Sequence, residues 1–468
     1  MERKRLQEEV SKDLLEAALA KLLANGGDFA EIFCEQSERS LLHLEEGRVK
    51  APSFTVAVGA GLRLVRGKTT RYGFVEELTE EALFRCADAL AVGKAVGVCE
   101  AVEPLAALGA MPAPAEPLAA EGVLSALRAA DEACRAVGPA VQNVTVVQNA
   151  WAQEMLVANS RGTFAGDVRN LRHMRVAATA VGNGQRRLCF RGADLVAEPQ
   201  RATAEGVRDL ARGAGQGAVL MLEAGPAPAG TMPVVIDAGH MGTGVVFHEA
   251  CGHALETDHI LEGASVFAGR IGDTVASKLV TLVDDATWPD RSRTYRVDDE
   301  GTPSQKTVLI EGGVLKGYLA DIKGAAALGL APTGSGRRQN FRHAPLARMS
   351  CTYLAPGEGS QEDILSEVKS GLFVKTVGGG GGDISGSGFV FTVMEANLIE
   401  NGKVTRPVTG ATLRGRGLEL LESIDAVGND LGISSVGGMC GKAGQMVPVD
   451  EGSPTVRVGR LTVGGAAL

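Results

Sequence analysis

The sequence has few aromatic residues, 4% of 468, and only 7 histidines. Its 8 cysteines stand singly, without a Cys-x-x-Cys pair, which is typical of reduced thiols and unlike a disulfide framework. No apolar run reaches the roughly 18 residues that a transmembrane helix needs, so no membrane span is predicted. The charged start Met1-Glu2-Arg3-Lys4-Arg5 also differs from a secretory signal peptide. We therefore expect a cytoplasmic protein.

Negative charge exceeds positive charge, with 56 Asp and Glu against 47 Lys and Arg, so the formal net charge is −9 and the sequence pI is near 5.5. Nucleic acids and anionic membrane surfaces generally bind basic protein surfaces, so neither is an expected partner. Glycine, by contrast, is abundant, with 62 residues. This is about twice its usual share and predicts many turns and close backbone approaches.

Two segments with few secondary-structure signals divide the chain. The Ala- and Pro-rich stretch 103–117 and the stretch 224–230 are interpreted as linkers. They predict an α/β unit at 1–102, a second α/β unit with an antiparallel meander at 119–222, and a strand-rich, largely antiparallel domain at 232–468. The expected fold class is α+β, and two or three domains suit a chain of this length.

Short strands and helices are predicted within the first two units. In the first unit a helix at 79–92 follows four strands, at 30–35, 40–45, 54–58 and 62–66. In the second unit two helices, at 119–137 and 202–213, flank strands at 141–149, 154–159, 163–167 and 172–181.

The segment Val245-Val246-Phe247-His248-Glu249-Ala250-Cys251-Gly252-His253 places two imidazoles and a carboxylate close together after an apolar stretch. In zinc hydrolases two His ligands flank a Glu that takes a proton from the attacking water. The usual spacing is four residues, whereas His248 and His253 are five apart, and a regular α-helix would set them about 140° out of line. We therefore predict a helix defect between them, either a π-bulge or a turn loosened at Gly252.

The same segment could instead be a buried amphipathic helix whose two His are only satisfied by hydrogen bonds. The scarcity of His in the chain and the Glu between the pair favour the metal interpretation. A catalytic zinc generally takes three protein ligands and leaves one position for water, so a third donor is needed.

Three residues are candidates for the third donor. His259 follows His253 by six residues, as in metzincins, although Glu256 stands where that motif has Gly. Glu256 itself could bind the metal or hold an imidazole N–H. Cys440 is distant in sequence, but its flanking Gly residues would let the backbone approach a metal. The residue pattern leaves these three open, and it predicts that Cys251 is buried and points away from the metal.

Several separate blocks add to this segment, and together they span most of the chain. They are His248-Glu249-Ala250-Cys251-Gly252-His253 with Glu256, Gly334-Ser335-Gly336-Arg337-Arg338-Gln339, Leu398-Ile399-Glu400-Asn401-Gly402-Lys403, Val408-Thr409-Gly410-Ala411-Thr412-Leu413, and Met439-Cys440-Gly441-Lys442 with Gly444-Gln445. In content and order they resemble the TldD/PmbA, or modulator of DNA gyrase, metalloprotease family.

The resemblance implies a zinc peptidase in which His248, His253 and Cys440 bind Zn²⁺ and Glu249 is the general base. PmbA-type relatives keep the fold but lack the His-Glu segment, so the resemblance assigns this chain to the catalytic, TldD-type branch. It also implies a dimer, formed with a second copy of the chain or with a PmbA-like subunit.

Two further segments are candidate substrate-binding elements. The run Gly378–Gly382 would let an extended peptide pair with the backbone, with Gly379 and Gly380 as the predicted contacts. Arg337 and Arg338, in a block that matches the family, are predicted to hold the substrate backbone or carboxylate. The alternatives are a tight turn and a solvated loop. A phosphate-binding Gly loop is disfavoured, because no Lys-Ser or Lys-Thr follows it.

The sequence thus predicts a zinc-dependent peptidase that acts on unfolded or leader peptides in extended form. One alternative is a noncatalytic peptide-binding or scaffold subunit with a structural metal, and another is a zinc hydrolase of small amides. Three protein ligands plus water would favour an enzyme, whereas a closed site of four protein ligands would favour the scaffold.

Overall fold

The structure is a computed structural model that describes residues 5–93, 102–107, 120–289, 291–385, 388–435 and 437–465. Within these ranges helices are combined with large sheets in which most neighbouring strands are antiparallel. The predicted α+β class is confirmed. None of the described helices has the length and apolar character needed to cross a membrane.

The α-helices of the described chain are α1 (Leu6–Glu9), α2 (Lys12–Leu22), α3 (Glu80–Ala91), α4 (Ala120–Arg135), α5 (Ala204–Leu220), α6 (Val245–Phe247), α7 (Thr257–Leu261), α8 (Ile322–Leu328), α9 (Gln361–Ser366) and α10 (Gly417–Glu422). Several begin where a side-chain oxygen accepts a hydrogen bond from a backbone amide in the first turn, which is a favourable helix start. The capping residues of α2, α3 and α5 are Ser11, Thr79 and Thr203.

The strands of the first half are β1 (Phe29–Glu45), β2 (Arg48–Arg66), β3 (Thr69–Val75), β4 (Ala106–Ala107), β5 (Val141–Asn159), β6 (Thr163–Gly182) and β7 (Gln185–Asp194). Those of the second half are β8 (Gly225–Pro226), β9 (Gly230–Ile236), β10 (Leu282–Asp285), β11 (Lys306–Glu311), β12 (Val314–Leu315), β13 (Gly336–Arg337), β14 (Leu346–Ala347), β15 (Cys351–Leu354), β16 (Ser370–Gly382), β17 (Phe389–Glu400), β18 (Lys403–Thr409), β19 (Thr412–Gly415), β20 (Ile424–Val427), β21 (Gly432–Ile433), β22 (Gly438–Lys442), β23 (Gln445–Ser453) and β24 (Val456–Gly464).

Long strands form the amino-terminal sheet. Its order is β3-β2-β1-β5-β6, with β7 and the short β4 also paired to β6. β1 has 17 residues and pairs with β2 on one side and β5 on the other. The prediction of separate strands at 30–35 and 40–45 is therefore wrong. The polar residues between them remain in the sheet because both of their backbone edges are paired.

The first two predicted units share this sheet. β1 lies before the predicted linker and β5 after it, yet they pair antiparallel from Glu31 with Asn159 to Glu45 with Thr145. Helices α2 and α3 pack over one apolar cluster of the sheet, and α4 and α5 over another. Much of the linker predicted at 103–117 lies outside the described residues. The two units are thus joined by backbone hydrogen bonds.

Two more large sheets make up the carboxy-terminal half. One has the order β16-β9-β24-β19-β17-β18-β8, and the other β12-β11-β10-β15-β23-β21, with β22 paired to β23. One apolar cluster joins the two sheets and includes Ile236 of β9, Leu282 of β10 and Phe391 of β17. Val246 and Cys251 of the His-Glu segment belong to the same cluster. The core therefore holds this segment in place.

Buried ion pairs connect the amino-terminal sheet with the carboxy-terminal half. The Arg63 guanidinium donates to Glu31 Oε2 at 2.7 Å and to Glu300 Oε1 at 2.5 Å, and all three side chains are almost fully buried. Arg338 donates to the other oxygen of Glu31. Loss of one partner would leave an unpaired buried charge, so this network favours one arrangement of the two halves.

Candidate metal centre

The helix defect predicted between the two His is present. The chain is α-helical at Val245–Phe247, π-helical at His248–Gly252 and 3₁₀-helical at His253–Leu255. A π-turn closes hydrogen bonds between residues five apart, so it brings residues with this spacing onto one face. The two imidazole rings are accordingly near each other, with centroids 5.2 Å apart and planes at 86°.

Cys440 reaches this pair from strand β22. Its Sγ lies 3.2 Å from Nε2 of His253, and the residue is buried with 4% exposure. One potential ligand atom from each of His248, His253 and Cys440 lies within 4.8 Å of the others. The structure therefore brings together the three residues that the family resemblance implied as ligands, across 187 residues of sequence.

The other two candidates for the third donor lie beside this cluster. Glu256 Oε2 accepts from Nδ1 of His253 at 3.0 Å, so the carboxylate holds the far side of the ring. His259 Nε2 is 3.9 Å from the same oxygen and groups with Glu256 and Asp258 in a separate cluster. Cys251 is fully buried, as predicted, and its thiol donates to the Phe247 carbonyl.

The charges of the cluster favour a thiolate at Cys440. Burial opposes a charged ring at His253, but the Glu256 carboxylate and the Cys440 thiol raise the pKa of His253 to about 10. Burial likewise opposes a thiolate at Cys440, but hydrogen bonds with His248 and His253 lower the pKa of Cys440 to about 5. The thiolate is the form of Cys that binds metals, and its site is therefore arranged to hold a charged sulfur.

The hairpin that carries Cys440 is anchored by arginines. β22 and β23 are joined by a turn in which Ala443 and Gly444 have φ of 49° and 75°, the left-handed values typical of a tight hairpin. Arg348, fully buried, donates to the Cys440 carbonyl at 2.6 Å. Arg337 donates to the Pro448 carbonyl at 2.7 Å. These bonds fix the backbone from which the thiol projects.

Arg337 and Arg338 are buried and bonded within the protein. Each has 3% exposure. Besides Pro448, Arg337 contacts the Met349 carbonyl at 2.7 Å. Arg338 donates to Glu31 and to the Asp299 carbonyl. In this structure the two guanidinium groups hold protein segments together, and their burial is incompatible with the alternative of a solvated loop. Their binding of substrate stays a prediction.

Strand β16 brings the Gly run against Glu249. A Cβ built on Gly382 would lie only 2.4 Å from the Glu249 carbonyl oxygen, so glycine is required at this position. A Cβ built on Gly381 would lie 3.9 Å from Glu249 Oε2, which places the carboxylate beside this exposed part of the strand. The predicted contacts Gly379 and Gly380 are also exposed and precede Gly381 directly.

The sequence interpretation assigned no role to Lys442. Its ammonium group lies 2.8 Å from Glu256 Oε2 and 2.6 Å from Asp258 Oδ1. The available signal was the position of Lys442 two residues after Cys440, because alternate residues of a strand face the same side. That signal could be used only once the segment was known to be a strand next to the His-Glu segment.

Family models match the chain over three segments. They describe the PmbA/TldA metallopeptidase domain 1 at residues 30–94, its central domain at 113–222 and its C-terminal domain at 229–465. The C-terminal model alone covers half of the chain. The chain belongs to the PmbA/TldD metallopeptidase family. The His248, His253 and Cys440 cluster lies within the segment matched to the C-terminal domain of this family.

Curated relatives of this PmbA/TldD chain carry metalloprotease names. The Metalloprotease TldD homolog of Haemophilus influenzae is 37% identical over 455 residues, which cover 94% of this chain and 93% of that protein. A Metalloprotease of Methanothermobacter thermautotrophicus is 40% identical over 263 residues, 56% of each chain. The Zinc metalloprotease TldD homolog of Saccharolobus solfataricus is 34% identical over 240 residues, 51% of this chain and 52% of that protein.

Solved structures show the same fold. A putative modulator of a DNA gyrase from Thermotoga maritima superposes with a TM-score of 0.76 at 21% identity. The superposition covers 97% of this chain and 100% of that chain. TldE from Thermococcus kodakarensis gives a TM-score of 0.72 at 18% identity, with coverage of 97% and 100%. At these identities the likeness concerns the fold of this PmbA/TldD chain.

Proposed function

We propose that this protein is a zinc-dependent peptidase that hydrolyses unfolded or leader peptides bound in extended form. The observation that carries the proposal is the composition of the cluster. Among the described residues, His248, His253 and Cys440 come together without a fourth His, Cys, Asp or Glu. Three protein donors leave one position for water or substrate, which is the pattern of catalytic zinc sites, whereas structural sites use four.

The residues present fit zinc. Imidazole nitrogen and thiolate sulfur are preferred zinc donors. The Glu256 carboxylate holds Nδ1 of His253, which leaves Nε2 for the cluster. His248 has a buried Nδ1 without a hydrogen-bond partner in the described chain, although burial of a polar atom normally requires one. A zinc ion bound here would act as a Lewis acid toward a peptide carbonyl and would acidify water.

Glu249 is proposed as the general base. It lies between the two His on the π-turn, next to the exposed Gly381. In this position its carboxylate would accept a proton from the attacking water and donate it to the amine that leaves when the peptide bond breaks. Gly382 packs against the backbone carbonyl of Glu249.

The substrate is proposed to bind along strand β16. Pairing of β16 with β9 extends only from Leu372 to Val374, and no other described strand pairs with that edge of Gly378–Gly382. An extended peptide could add to such an edge through main-chain hydrogen bonds, which tolerate many side chains. A folded protein cannot present a free strand, so this mode of binding selects unfolded segments. Gly379 and Gly380 are the proposed contacts.

We also propose that the protein works as a dimer with a second copy or with a PmbA-like subunit. The support is the family membership and the similarity of fold to TldE. The mass of one chain is 48.4 kDa. Light scattering of the purified chain, alone and with a PmbA-like partner, would show a doubled mass for a dimer and would contradict the proposal if both samples stayed monomeric.

The test of the enzyme compares Glu249→Gln with the unaltered protein. We expect one zinc per chain in both by metal analysis, with cleavage of an unstructured peptide abolished in the variant. Glu262→Gln, at an exposed position directly after helix α7, is the matched control and should cleave normally. Retained cleavage in Glu249→Gln would contradict the role of Glu249. Zinc binding without cleavage of any unfolded peptide by the unaltered protein would favour the scaffold alternative, and cleavage of only small amides would favour the amidase.

A further inference from the structure

We propose that Lys442 is a positioning residue for the metal site, because its ammonium group ties the strand that carries Cys440 to the segment that carries His253. This inference rests on the proposed function, since it concerns the same metal centre. It assigns a role to a residue that is neither in the His-Glu segment nor among the three proposed ligands.

The ammonium group of Lys442 has three hydrogen-bond acceptors. Its Nζ lies 2.8 Å from Glu256 Oε2, 2.6 Å from Asp258 Oδ1 and 3.0 Å from the Ala347 carbonyl. An ammonium group has three protons, and here each has one acceptor. The side chain is only 6% exposed. A buried, fully bonded ammonium has one available position, so it fixes the distance between the elements that it joins.

The two elements joined by Lys442 are those that bring the proposed ligands together. Cys440 and Lys442 are two apart on β22 and therefore face the same side. Lys442 reaches Glu256, which directly follows the 3₁₀ turn that begins with His253, and Asp258, which lies in helix α7. The ammonium contact thus lies next to the 3.2 Å approach of Cys440 Sγ to His253 Nε2. Without it, the Lys442 side chain of β22 would no longer be bonded to Glu256 and Asp258.

Glu256 depends on Lys442 for its place. The same oxygen, Oε2, accepts from Lys442 and from Nδ1 of His253, while Oε1 accepts from the Met349 amide. Removal of the ammonium would leave the carboxylates of Glu256 and Asp258 close together without the cation between them. Their repulsion would displace Glu256 and with it the ring orientation of His253.

The acidic group beside the zinc site is better explained by Lys442 than by a second metal. Glu256, Asp258 and His259 have donor atoms close enough to hold a cation. However, Nζ of Lys442 already lies within hydrogen-bond distance of two of these three residues. The cation in this group is therefore supplied by the protein itself.

The test is Lys442→Met, which keeps the length of the side chain and removes the charge. Zinc affinity would be measured by competition with a chromophoric chelator. We expect it to fall about 10- to 100-fold, as is usual when a residue that orients a ligand is lost. Lys316→Met is the matched control, because Lys316 forms an ion pair with Glu311 that is exposed on both sides. This control should bind zinc like the unaltered protein.

A second readout separates positioning from a general loss of stability. The protein loaded with cobalt(II) should show a thiolate charge-transfer band, and at saturating cobalt Lys442→Met should weaken or shift this band. Asp258→Ala, which removes one acceptor of the ammonium group and leaves Glu256 and β22 unchanged, should lower zinc affinity in the same direction by a smaller factor. It also provides the test if Lys442→Met does not fold.

Two results would overturn the inference. Unchanged zinc affinity and an unchanged cobalt spectrum in Lys442→Met would show that the ammonium does not position the site. If Lys442→Met does not fold, unchanged affinity in Asp258→Ala would have the same meaning. Absence of zinc binding in the unaltered protein is a different outcome, because it would overturn the proposed function itself.

Discussion

Glu256 accepts a hydrogen bond from Nδ1 of His253 through Oε2, at 3.0 Å, and this bond determines which ring nitrogen faces Cys440. Carboxylates commonly hold the outer nitrogen of a metal-binding His in this way. Burial would oppose ionisation of Glu256, but the charges of His253 and Lys442 lower the pKa of Glu256 to about 2. The carboxylate is therefore charged whenever the protein is near neutral pH.

Substitution of Glu256 by Gln should weaken zinc binding while the fold is kept. The amide preserves the size of the side chain but removes its charge, so it can no longer orient His253 and pair with Lys442 together. We expect a loss in zinc affinity of about 10- to 100-fold and a decrease in the free energy of unfolding of about 1–3 kcal/mol. Chelator competition and urea unfolding measure the two effects. Equal zinc affinity in the variant would show that the hydrogen bond has no influence on the site.

Substitution of Gly382 by Ala should disturb Glu249, whereas substitution of Gly379 should not. A Cβ at Gly382 would lie 2.4 Å from the Glu249 carbonyl oxygen, but a Cβ at Gly379 meets no atom within 4 Å. The backbone must shift in the first variant, at a cost of about 1–3 kcal/mol. We expect Gly382→Ala to have a lower melting temperature and little peptide cleavage. Gly379→Ala should match the unaltered protein in melting temperature, and a large decrease there would contradict the structure.

Removal of zinc should destabilise the protein reversibly. A ligand that binds only the folded state at a free concentration of 100 times its Kd adds about 2.7 kcal/mol to the free energy of unfolding. We expect a strong chelator to lower the melting temperature and addition of zinc to restore it. In His248→Ala and Cys440→Ala zinc should have little effect. A melting temperature of Cys440→Ala that rises with zinc as in the unaltered protein would exclude this thiol as a ligand.

Substitution of Arg63 by Met should destabilise the contact between the amino-terminal sheet and the carboxy-terminal half. Arg63 is 2% exposed and pairs with the buried carboxylates of Glu31 and Glu300. Glu31 keeps its ion pair with Arg338, but Glu300 loses Arg63, and the unpaired buried charge of Glu300 should cost about 3–5 kcal/mol in urea unfolding. Arg342→Met is the control, because Arg342 joins the same two halves through an exposed pair with Glu76, worth about 0–1 kcal/mol. Similar decreases in the free energy of unfolding in both variants would show that burial of the ion pair does not determine its contribution to stability.

The local geometry of the His-Glu segment could be predicted from the sequence. The five-residue spacing of His248 and His253 is incompatible with one face of an α-helix. The π-turn at His248–Gly252 brings the two residues onto one face. The choice of Cys440 over Glu256 and His259 could not be made from the residue pattern, because it depends on how β22 packs against the segment. The family resemblance selected Cys440, and the role of Cys440 as a metal ligand remains a proposal.

The burial of charged residues could not be predicted. Arg338 and Glu31 are 307 residues apart, and nothing in the local pattern of either shows that they meet. The Arg-rich block in an acidic chain suggested a clamp for substrate. Instead, Arg338 pairs with the buried carboxylate of Glu31, which lies in the first strand. The length of β1 was missed for a related reason. Polar residues in its middle resemble a break until the strands on both sides of it are known.

The position of β1 between β2 and β5 has a consequence for any backbone cut between the first two predicted units. A protease that makes this cut would divide the polypeptide into two fragments, but the two fragments would remain associated. The amino-terminal fragment would stay bound through the antiparallel ladder from Glu31 to Glu45 and through the salt bridges of Arg63. The nicked protein should elute as one species in native chromatography and fall apart only in denaturant.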